Sequence, residues 1–185
     1  MVWAFTSPGG EIVVYDEFPN FPFQGAKDSN DGVEDYAGIF KTKEAGRKIS
    51  ARILDRHYGF KRQTLGGKTL AEEFEDVGLD YDPSYHVGEN IPEVETGIAK
   101  VKDYLRYDKD KPISSLNRPK LLISPNCTNT IHALERWSRN PKTAKPQEEY
   151  KDFADCVRYL VMSEPTHEDS VVWADRRRPH FGVNT

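Results

Sequence analysis

The alternation of apolar and polar residues at the start of the chain predicts a β-hairpin. The stretch "VWAFTSPGGEIVVYDEF" places aromatic and β-branched residues on both sides of a Pro-Gly-Gly turn signal. The next stretch, "PNFPFQGAKDSNDGVEDYAG", is rich in Pro, Gly, Asn and Asp, which predicts a loop that closes on a short helical turn. "KTKEAGRKISARILDRHYG" then predicts a short helix followed by a buried strand, Ile49 to Leu54, which ends at Asp55.

The remainder of the chain is dominated by helical spacing. Thr69 and Glu72 form a capping-box pattern, which predicts a helix from Leu70 to Val77 that stops at Gly78. Brief strands are predicted at "YHVG" and within "RPKLLISPNC". Three further amphipathic helices are predicted in "IPEVETGIAKVKDYLRYD", "TNTIHALERWSRN" and "PQEEYKDFADCVRYLVM". Their apolar edges include Val94, Ile98, Val101 and Leu105 in the first, and Ile131, Leu134 and Trp137 in the second.

This order of elements predicts an α/β fold, with a mixed sheet that is opened by the hairpin and has helices on both faces. A length of 185 residues with 37% hydrophobic residues supports one domain with a packed core. The net charge of -4 argues against coating nucleic acid through bulk charge, but it leaves a local basic strip open. Cys127 and Cys156 lack the paired spacing of a zinc site or a disulfide framework, which favours an intracellular setting. No stretch has the pattern of a signal peptide or the length of a membrane span.

Two aspartates in the last predicted helix are the first candidates for chemistry. At 100° per residue, Asp152 and Asp155 lie about 60° apart, away from the apolar arc that contains Phe153 and Val157. Like charges one turn apart repel each other, and a bound divalent cation would relieve that repulsion. A solvated helix surface is the alternative explanation for this pair.

Asp55 is the natural third carboxylate, because chemistry in α/β folds collects at the carboxyl ends of strands. An acid at a strand end together with acids on a helix predicts metal-assisted phosphoryl chemistry, in which two ions about 4 Å apart stabilise the attacking and leaving oxygens. The alternative for Asp55 is an ordinary turn or cap residue.

Other motifs are weaker. In "LGGKT", Arg62 stands where a phosphate-binding P-loop requires glycine, so a turn before a capped helix is the simpler interpretation. The histidines His57, His86 and His132 do not have the spacing of zinc ligands. Several basic residues flank the Asp55 segment and are candidates either for phosphate contacts or for solvated surface: Arg47, Lys48, Lys61, Arg62 and Lys68.

The chain resembles the C-terminal nuclease domain of the large terminase subunit of tailed phages, which has an RNase H-like fold. The likeness runs from "GGEIVVYDEF" through "ARILDRHYG" and "LLISPNCTNTIHALERW" to "EEYKDFADCVRYL", and the closing "D..D..RY" is its most specific part. It implies that Asp55 is the second-motif acid, that Asp155 is the metal-binding acid of the last helix, and that Asp152 occupies the position one turn before it. It also implies a nuclease domain over residues 1–163 and a basic C-terminal tail over residues 164–185.

The resemblance further implies an endonuclease that depends on Mg²⁺ or Mn²⁺, with two metal ions, and that cuts concatemeric double-stranded DNA during viral genome packaging. Such an enzyme acts in the host cytoplasm with the terminase ATPase domain, the small terminase subunit and the portal as partners. Arg176 to Arg178 in the tail are candidates for contact with DNA or with a portal-like partner.

One departure from the family pattern leaves alternatives open. The family's first motif is an aspartate on a strand ahead of the hairpin, and the sequence begins too late to contain it, so we expect a fragment or the product of a split or truncated gene. Asp16 or Glu17 could stand in for that aspartate, although ordinary edge-strand placement is favoured. The alternative functions are a catalytically incomplete DNA-binding or docking module of the packaging motor, and another RNase H-like enzyme such as a resolvase or transposase fragment.

Overall fold

The chain has a mixed α/β fold with a three-stranded sheet. The computed structural model describes residues 1–20, 32–62, 67–81, 94–143, 147 and 149–167. Its strands are β1 (Val2–Thr6), β2 (Ile12–Glu17) and β3 (Leu121–Ile123). Its helices are α1 (Val33–Glu44), α2 (Arg56–Gly59), α3 (Leu70–Asp76), α4 (Val94–Tyr104), α5 (Thr128–Arg136) and α6 (Lys151–Met162).

The predicted hairpin is confirmed as the start of the sheet. Strand β1 pairs with β2 in antiparallel register, with Thr6 opposite Ile12 and Val2 opposite Glu17. Gly10 supplies the positive φ of 83° that the turn requires. The predicted strand in "RPKLLISPNC" is confirmed as β3, which pairs in parallel with β2, so the strand order is β1-β2-β3 and β2 is central.

The main core lies between the sheet and helices α4 and α6. Ile12, Val14 and Leu121 are buried on one face of the sheet, where they pack against α4 and α6. Val157 and Val161 of α6 have no exposed surface, so the predicted apolar arc of this helix is confirmed. Each such side chain contributes about 1.5–3 kcal/mol when it is fully buried, and this packing fixes the rotation of α6 on the sheet.

A second cluster holds α1 and α3 together and extends to Trp3 of β1. Because side chains alternate along a strand, the indole of Trp3 lies on the opposite side from Val2 and Ala4, which belong to the main core. The ring of Trp3 lies 5.5 Å from the ring of Phe40 in α1, and Phe40 in turn contacts Phe74 of α3 at 6.3 Å. Helices therefore approach the sheet from both faces, as the sequence predicts.

The capping box of α3 is confirmed. Thr69 Oγ1 accepts a hydrogen bond from the Glu72 backbone N–H at 3.2 Å, and Glu72 Oε2 accepts one from the Thr69 backbone N–H at 2.6 Å. Gly78 has a φ of 82°, which suits its place immediately after the helix. The predicted helices in the three amphipathic segments are confirmed as α4, α5 and α6. The strand predicted at "YHVG", residues 85–88, lies outside the described residues.

Two predictions for the region before Asp55 are wrong. The end of the predicted loop, residues 33–38, and the short helix predicted after it form one helix of 12 residues, α1. Residues 21–31 of that predicted loop lie outside the described residues. Ile49 to Leu54 is not a strand, and within the described residues it makes no ladder with β1, β2 or β3. This segment is half-buried beside the helices instead, where Arg52 donates to Glu44 of α1 and to the Asp80 carbonyl. Its apolar residues are half-buried through side-chain packing without backbone pairing, so their β-branched composition here indicates burial and not a strand.

A buried carboxylate joins the end of β2 to the start of α5. Glu17 is 1% exposed, and its carboxylate accepts hydrogen bonds from the backbone N–H groups of Asn129 and Thr130, each at 2.8 Å. The Thr130 hydroxyl donates a third hydrogen bond at 2.7 Å. These backbone groups lie in the first turn of α5, where a helix has unpaired N–H groups and a partial positive charge. Glu17 therefore caps α5 from another part of the chain.

Asp16, the neighbour of Glu17, has a different partner. Its carboxylate forms an ion pair with Lys43 of α1 at 2.6 Å. In the part of the chain that the structure describes, the hydrogen bonds and ion pairs of these two acids are with other residues than 49–55. Their contacts therefore do not support the expectation that one of them stands in for the first-motif aspartate of the terminase family.

We predict that Glu17→Gln lowers the free energy of unfolding by about 1–3 kcal/mol, because the amide NH₂ would face helix N–H donors that now share a carboxylate. Urea unfolding followed by circular dichroism measures the change. The matched control is Asp16→Asn on the same strand, which should cost less than about 1 kcal/mol because its ion pair is partly exposed. Equal losses from the two variants would contradict the capping role of Glu17.

Candidate functional site

The polar face of α6 carries the acids that the sequence singles out. Asp152 is exposed and Asp155 is half-buried, while Phe153, Val157 and Val161 on the opposite face are buried. The prediction that the two acids lie away from the apolar arc is therefore confirmed. Tyr159 lies one turn after Asp155 on the same face, since residues four apart on a helix are neighbours.

Asp55 begins a helix and does not end a strand. Its Oδ1 accepts a hydrogen bond from the backbone N–H of Tyr58 at 2.9 Å, and its carbonyl accepts one from Gly59 at 2.7 Å. Asp55 thus has the contacts of an N-cap on the single turn of α2. The alternative interpretation of Asp55 as a cap residue is correct, and this local role leaves its second carboxylate oxygen available to another element.

That second oxygen faces α6. The hydroxyl of Tyr159 donates a hydrogen bond to Oδ2 of Asp55, across 104 residues of sequence. Burial raises the pKa of Tyr159, as do this hydrogen bond and the charges of Asp55 and Asp155, against a lowering by Arg158. Helical side chains lean toward the N-terminal end of their helix, so the phenol of Tyr159 extends over the turn that carries Asp155. Asp55 and Asp155 therefore both lie near Tyr159, because the charge of each acts on its hydroxyl.

Arg158 holds the other carboxylate. Its Nε and Nη2 donate to Oδ1 of Asp155 at 2.9 and 2.8 Å. Arg158 is only 5% exposed, and its guanidinium carbon lies 4.4 Å from the centre of the Tyr159 ring. Gly97 of α4 makes room for this side chain, because a Cβ at that position would lie 2.6 Å from both Cγ and Cδ of Arg158. The close approach of α4 to α6 at Gly97 therefore holds Arg158 beside Asp155.

Asp152 has different surroundings from Asp155. It lines a shallow depression between α5 and α6 together with Asn129, His132 and Tyr150. The rings of His132 and Tyr150 lie 5.1 Å apart at this place. The structure thus places Tyr159 in contact with Asp55 and within the field of Asp155, while Asp152 is near the start of α6 and contributes to the surface toward α5.

The acceptor capacity of the two central carboxylates fits one hydrated divalent cation. An ionised carboxylate offers about four lone-pair positions. Among the described residues, Tyr58 and Tyr159 occupy two positions of Asp55, and Arg158 occupies two positions of Asp155. Mg²⁺ is commonly bound by one or two carboxylates and keeps several waters. In the part of the chain that the structure describes, no group of three or more His, Cys, Asp or Glu side chains is arranged to hold a metal ion. A second ion would need further ligands.

Two of the basic residues that flank Asp55 in sequence, Arg47 and Lys68, contact other elements. Arg47 stacks on Tyr15 of β2, with its guanidinium carbon 4.8 Å from the ring centre. Lys68 forms an ion pair with Asp76 of α3. The side chain of His57 and all of His86 lie outside the described residues.

The start of the predicted tail remains close to the sheet. The Thr6 hydroxyl donates to the Pro165 carbonyl at 3.1 Å, and Nδ1 of His167 lies 2.8 Å from the Thr6 carbonyl oxygen. Residues 168–185, with Arg176 to Arg178, lie outside the described residues. These contacts show that the chain follows the end of β1 for at least a few residues after α6.

Comparison with protein-family models, curated proteins and solved structures gave no match. Among the helices of the described residues, none has the length and apolar character that crossing a membrane requires. The geometry around Tyr159 and the sequence resemblance described above are therefore the two observations that bear on function.

Three residues of this site were not assigned a role from the sequence: Gly97, Arg158 and Tyr159. Arg158 and Tyr159 directly follow the aspartate pair, and a buried position for Arg158 is indicated by its helical spacing from Ala154 and Val161. A glycine inside a helical pattern is the sequence signal for Gly97, since such a residue often marks a close approach. The spacing of three residues also indicates the ion pair of Arg158 with Asp155 within α6. The contacts of Tyr159 with Asp55 and of Gly97 with Arg158 join different elements, and no local pattern identifies them.

Two helix glycines provide a matched test of this packing. We predict that Gly97→Ala lowers the free energy of unfolding by about 1–3 kcal/mol, because the new methyl group would overlap Arg158. Gly38→Ala should raise it by about 0.5–1 kcal/mol, because Gly38 lies inside α1 with nothing within 4 Å of an added Cβ. Thermal and urea unfolding measure both changes. A Gly97→Ala protein as stable as the Gly38→Ala protein would contradict the close approach of α4 to Arg158.

Proposed function

We propose that this chain is an RNase H-like endonuclease domain of a phage DNA-packaging terminase, which hydrolyses phosphodiester bonds of concatemeric double-stranded DNA with Mg²⁺ or Mn²⁺. The observation that carries the proposal is the hydrogen bond from Tyr159 to Asp55, which brings Asp55 to the face of α6 that also carries Asp155. Residues 49–55 and α6 are the two stretches that the terminase resemblance assigns to metal-binding acids. The proposal includes the host cytoplasm as its place of action, and the ATPase domain, small subunit and portal as its partners.

Each side chain has a defined part in this proposal. Asp55 and Asp155 would hold the cation through the carboxylate positions that Tyr58, Tyr159 and Arg158 leave open. A bound Mg²⁺ or Mn²⁺ ion would lower the pKa of the attacking water and neutralise charge on the phosphate. Arg158 keeps Asp155 oriented, and its positive charge offsets part of the repulsion between the two acids. Asp152 would supply a ligand for a second ion, at the end of the site toward α5.

The proposal predicts EDTA-sensitive cleavage of plasmid DNA in the presence of Mn²⁺. Asp155→Ala and Asp55→Asn should each lower the cleavage rate by at least about 100-fold, because each removes a charge that holds the cation. The matched control is Asp103→Asn, which alters an exposed aspartate that also pairs with an arginine three residues later, Arg106. Cleavage by the Asp155→Ala protein at the wild-type rate would exclude this mechanism.

The second candidate is a non-catalytic module that binds or guides DNA within a packaging motor. It is favoured by the fact that both central carboxylates already have protein partners, Tyr159 and Arg158, as they would in a purely structural network. A Mn²⁺ titration, combined with the cleavage assay and a gel-shift assay, separates the two functions. Mn²⁺ binding that depends on Asp155, together with cleavage, supports the nuclease. Retention of DNA in a gel-shift assay, with no cleavage and no Mn²⁺ binding, supports the module.

A further inference from the structure

We infer that Tyr159 is a positioning residue that places Asp55 for a divalent cation shared with Asp155. This inference rests on the proposed function and deepens it. Tyr159 would not touch the cation or the DNA. It would act through Asp55, whose Oδ2 accepts its hydroxyl.

The need for such a residue follows from the way Asp55 is held. Residues 49–54 form no ladder with the three strands that the structure describes, so pairing with this sheet does not fix the segment that leads to Asp55. The bond from Tyr58 to Oδ1 orients the carboxylate within its own segment, because these residues are only three apart. It does not set the distance between Asp55 and α6. The hydroxyl of Tyr159 does set that distance, since α6 is fixed to the sheet by Val157 and Val161.

The ring of Tyr159 is itself held in place. The guanidinium of Arg158 lies over it, and Arg158 is confined by Gly97 of α4 and by its ion pair with Asp155. A phenol has two rotatable side-chain bonds before the hydroxyl, so little conformational entropy is lost when it is ordered. The position of Asp155 and the position of the Tyr159 ring are therefore set by the same side chain, Arg158.

The chemistry of the hydroxyl also suits this role. A neutral O–H donor orients a carboxylate without adding a positive charge next to the cation, whereas a lysine in its place would repel the cation. The hydrogen bond occupies one of the two lone-pair positions of Oδ2 and leaves acceptor capacity on the same carboxylate. Loss of such a supporting hydrogen bond typically lowers metal affinity about 10–100-fold.

The test is the affinity of the full 185-residue chain for Mn²⁺ alone, measured by isothermal titration calorimetry. Tyr159→Phe keeps the ring and removes only the hydroxyl, and it should raise the Kd for Mn²⁺ about tenfold or more. The matched control is Tyr15→Phe, whose hydroxyl has a long contact of 3.5 Å with Arg47, and which should leave the Kd unchanged. Circular dichroism at the titration temperature establishes that each variant is folded.

A second measurement distinguishes action through Asp55 from a general effect of the substitution. In an Asp55→Asn background, Tyr159→Phe should cause no further rise in the Kd, because the carboxylate that it positions is already gone. A folded Tyr159→Phe protein with the wild-type Kd overturns the inference and leaves the proposed function intact. Wild-type protein whose Mn²⁺ binding is absent, or is unaffected by Asp155→Ala, overturns the proposed function together with the inference.

Discussion

The burial of the Glu17 carboxylate against the first turn of α5 is the constraint on which the arrangement of the C-terminal half depends. A charge with 1% exposure is stable only where hydrogen bonds replace its hydration, and here three donors from Asn129 and Thr130 do so. The helix dipole favours the same arrangement, because the N-terminus of α5 carries a partial positive charge. Since Glu17 ends β2, this interaction fixes where α5 begins relative to the sheet.

Helix α6 connects the sheet and α5 to the candidate site. It packs against α4, α5 and the sheet, so its apolar face cannot rotate without exposing Val157 and Val161. Its polar face is therefore presented in a fixed direction, with Tyr159 in contact with Asp55 at the end of residues 49–55. The close contact of Gly97 with Arg158 adds a second constraint, because it confines the buried guanidinium of Arg158 next to Asp155. Packing on one side of the helix thus determines the electrostatics of the other side.

The charge balance of the site bears on both candidate functions. Asp55, Asp155 and Arg158 together carry one net negative charge when all three are ionised, and the hydroxyl of Tyr159 adds none. This net negative charge would attract a divalent cation. The hydrogen bond from Tyr159 and the ion pair with Arg158 also stabilise the two carboxylates when no cation is bound. A nuclease needs the cation to bind, whereas a docking module needs only the stabilised carboxylates. Asp152, which lies toward α5, adds a negative charge at the end of the face that a second cation would occupy.

The sequence by itself determined the elements whose signals are local. The hairpin follows from strand alternation on both sides of a turn, the start of α3 from a capping box that spans four residues, and the apolar face of α6 from its helical period. Only the tertiary structure decided the rest. The apolar, β-branched composition of Ile49 to Leu54 predicts a strand because it indicates burial, but composition does not identify a neighbouring strand for backbone hydrogen bonds. Glu17 and Tyr159 find their partners 113 and 104 residues away, and the energy of those contacts comes from burying both groups together. Sequence spacing placed Asp152 and Asp155 on one face and Arg158 next to Asp155, but the packing of α4, α5 and α6 decided that Arg158 is buried against Gly97 and that Asp152 lies toward α5.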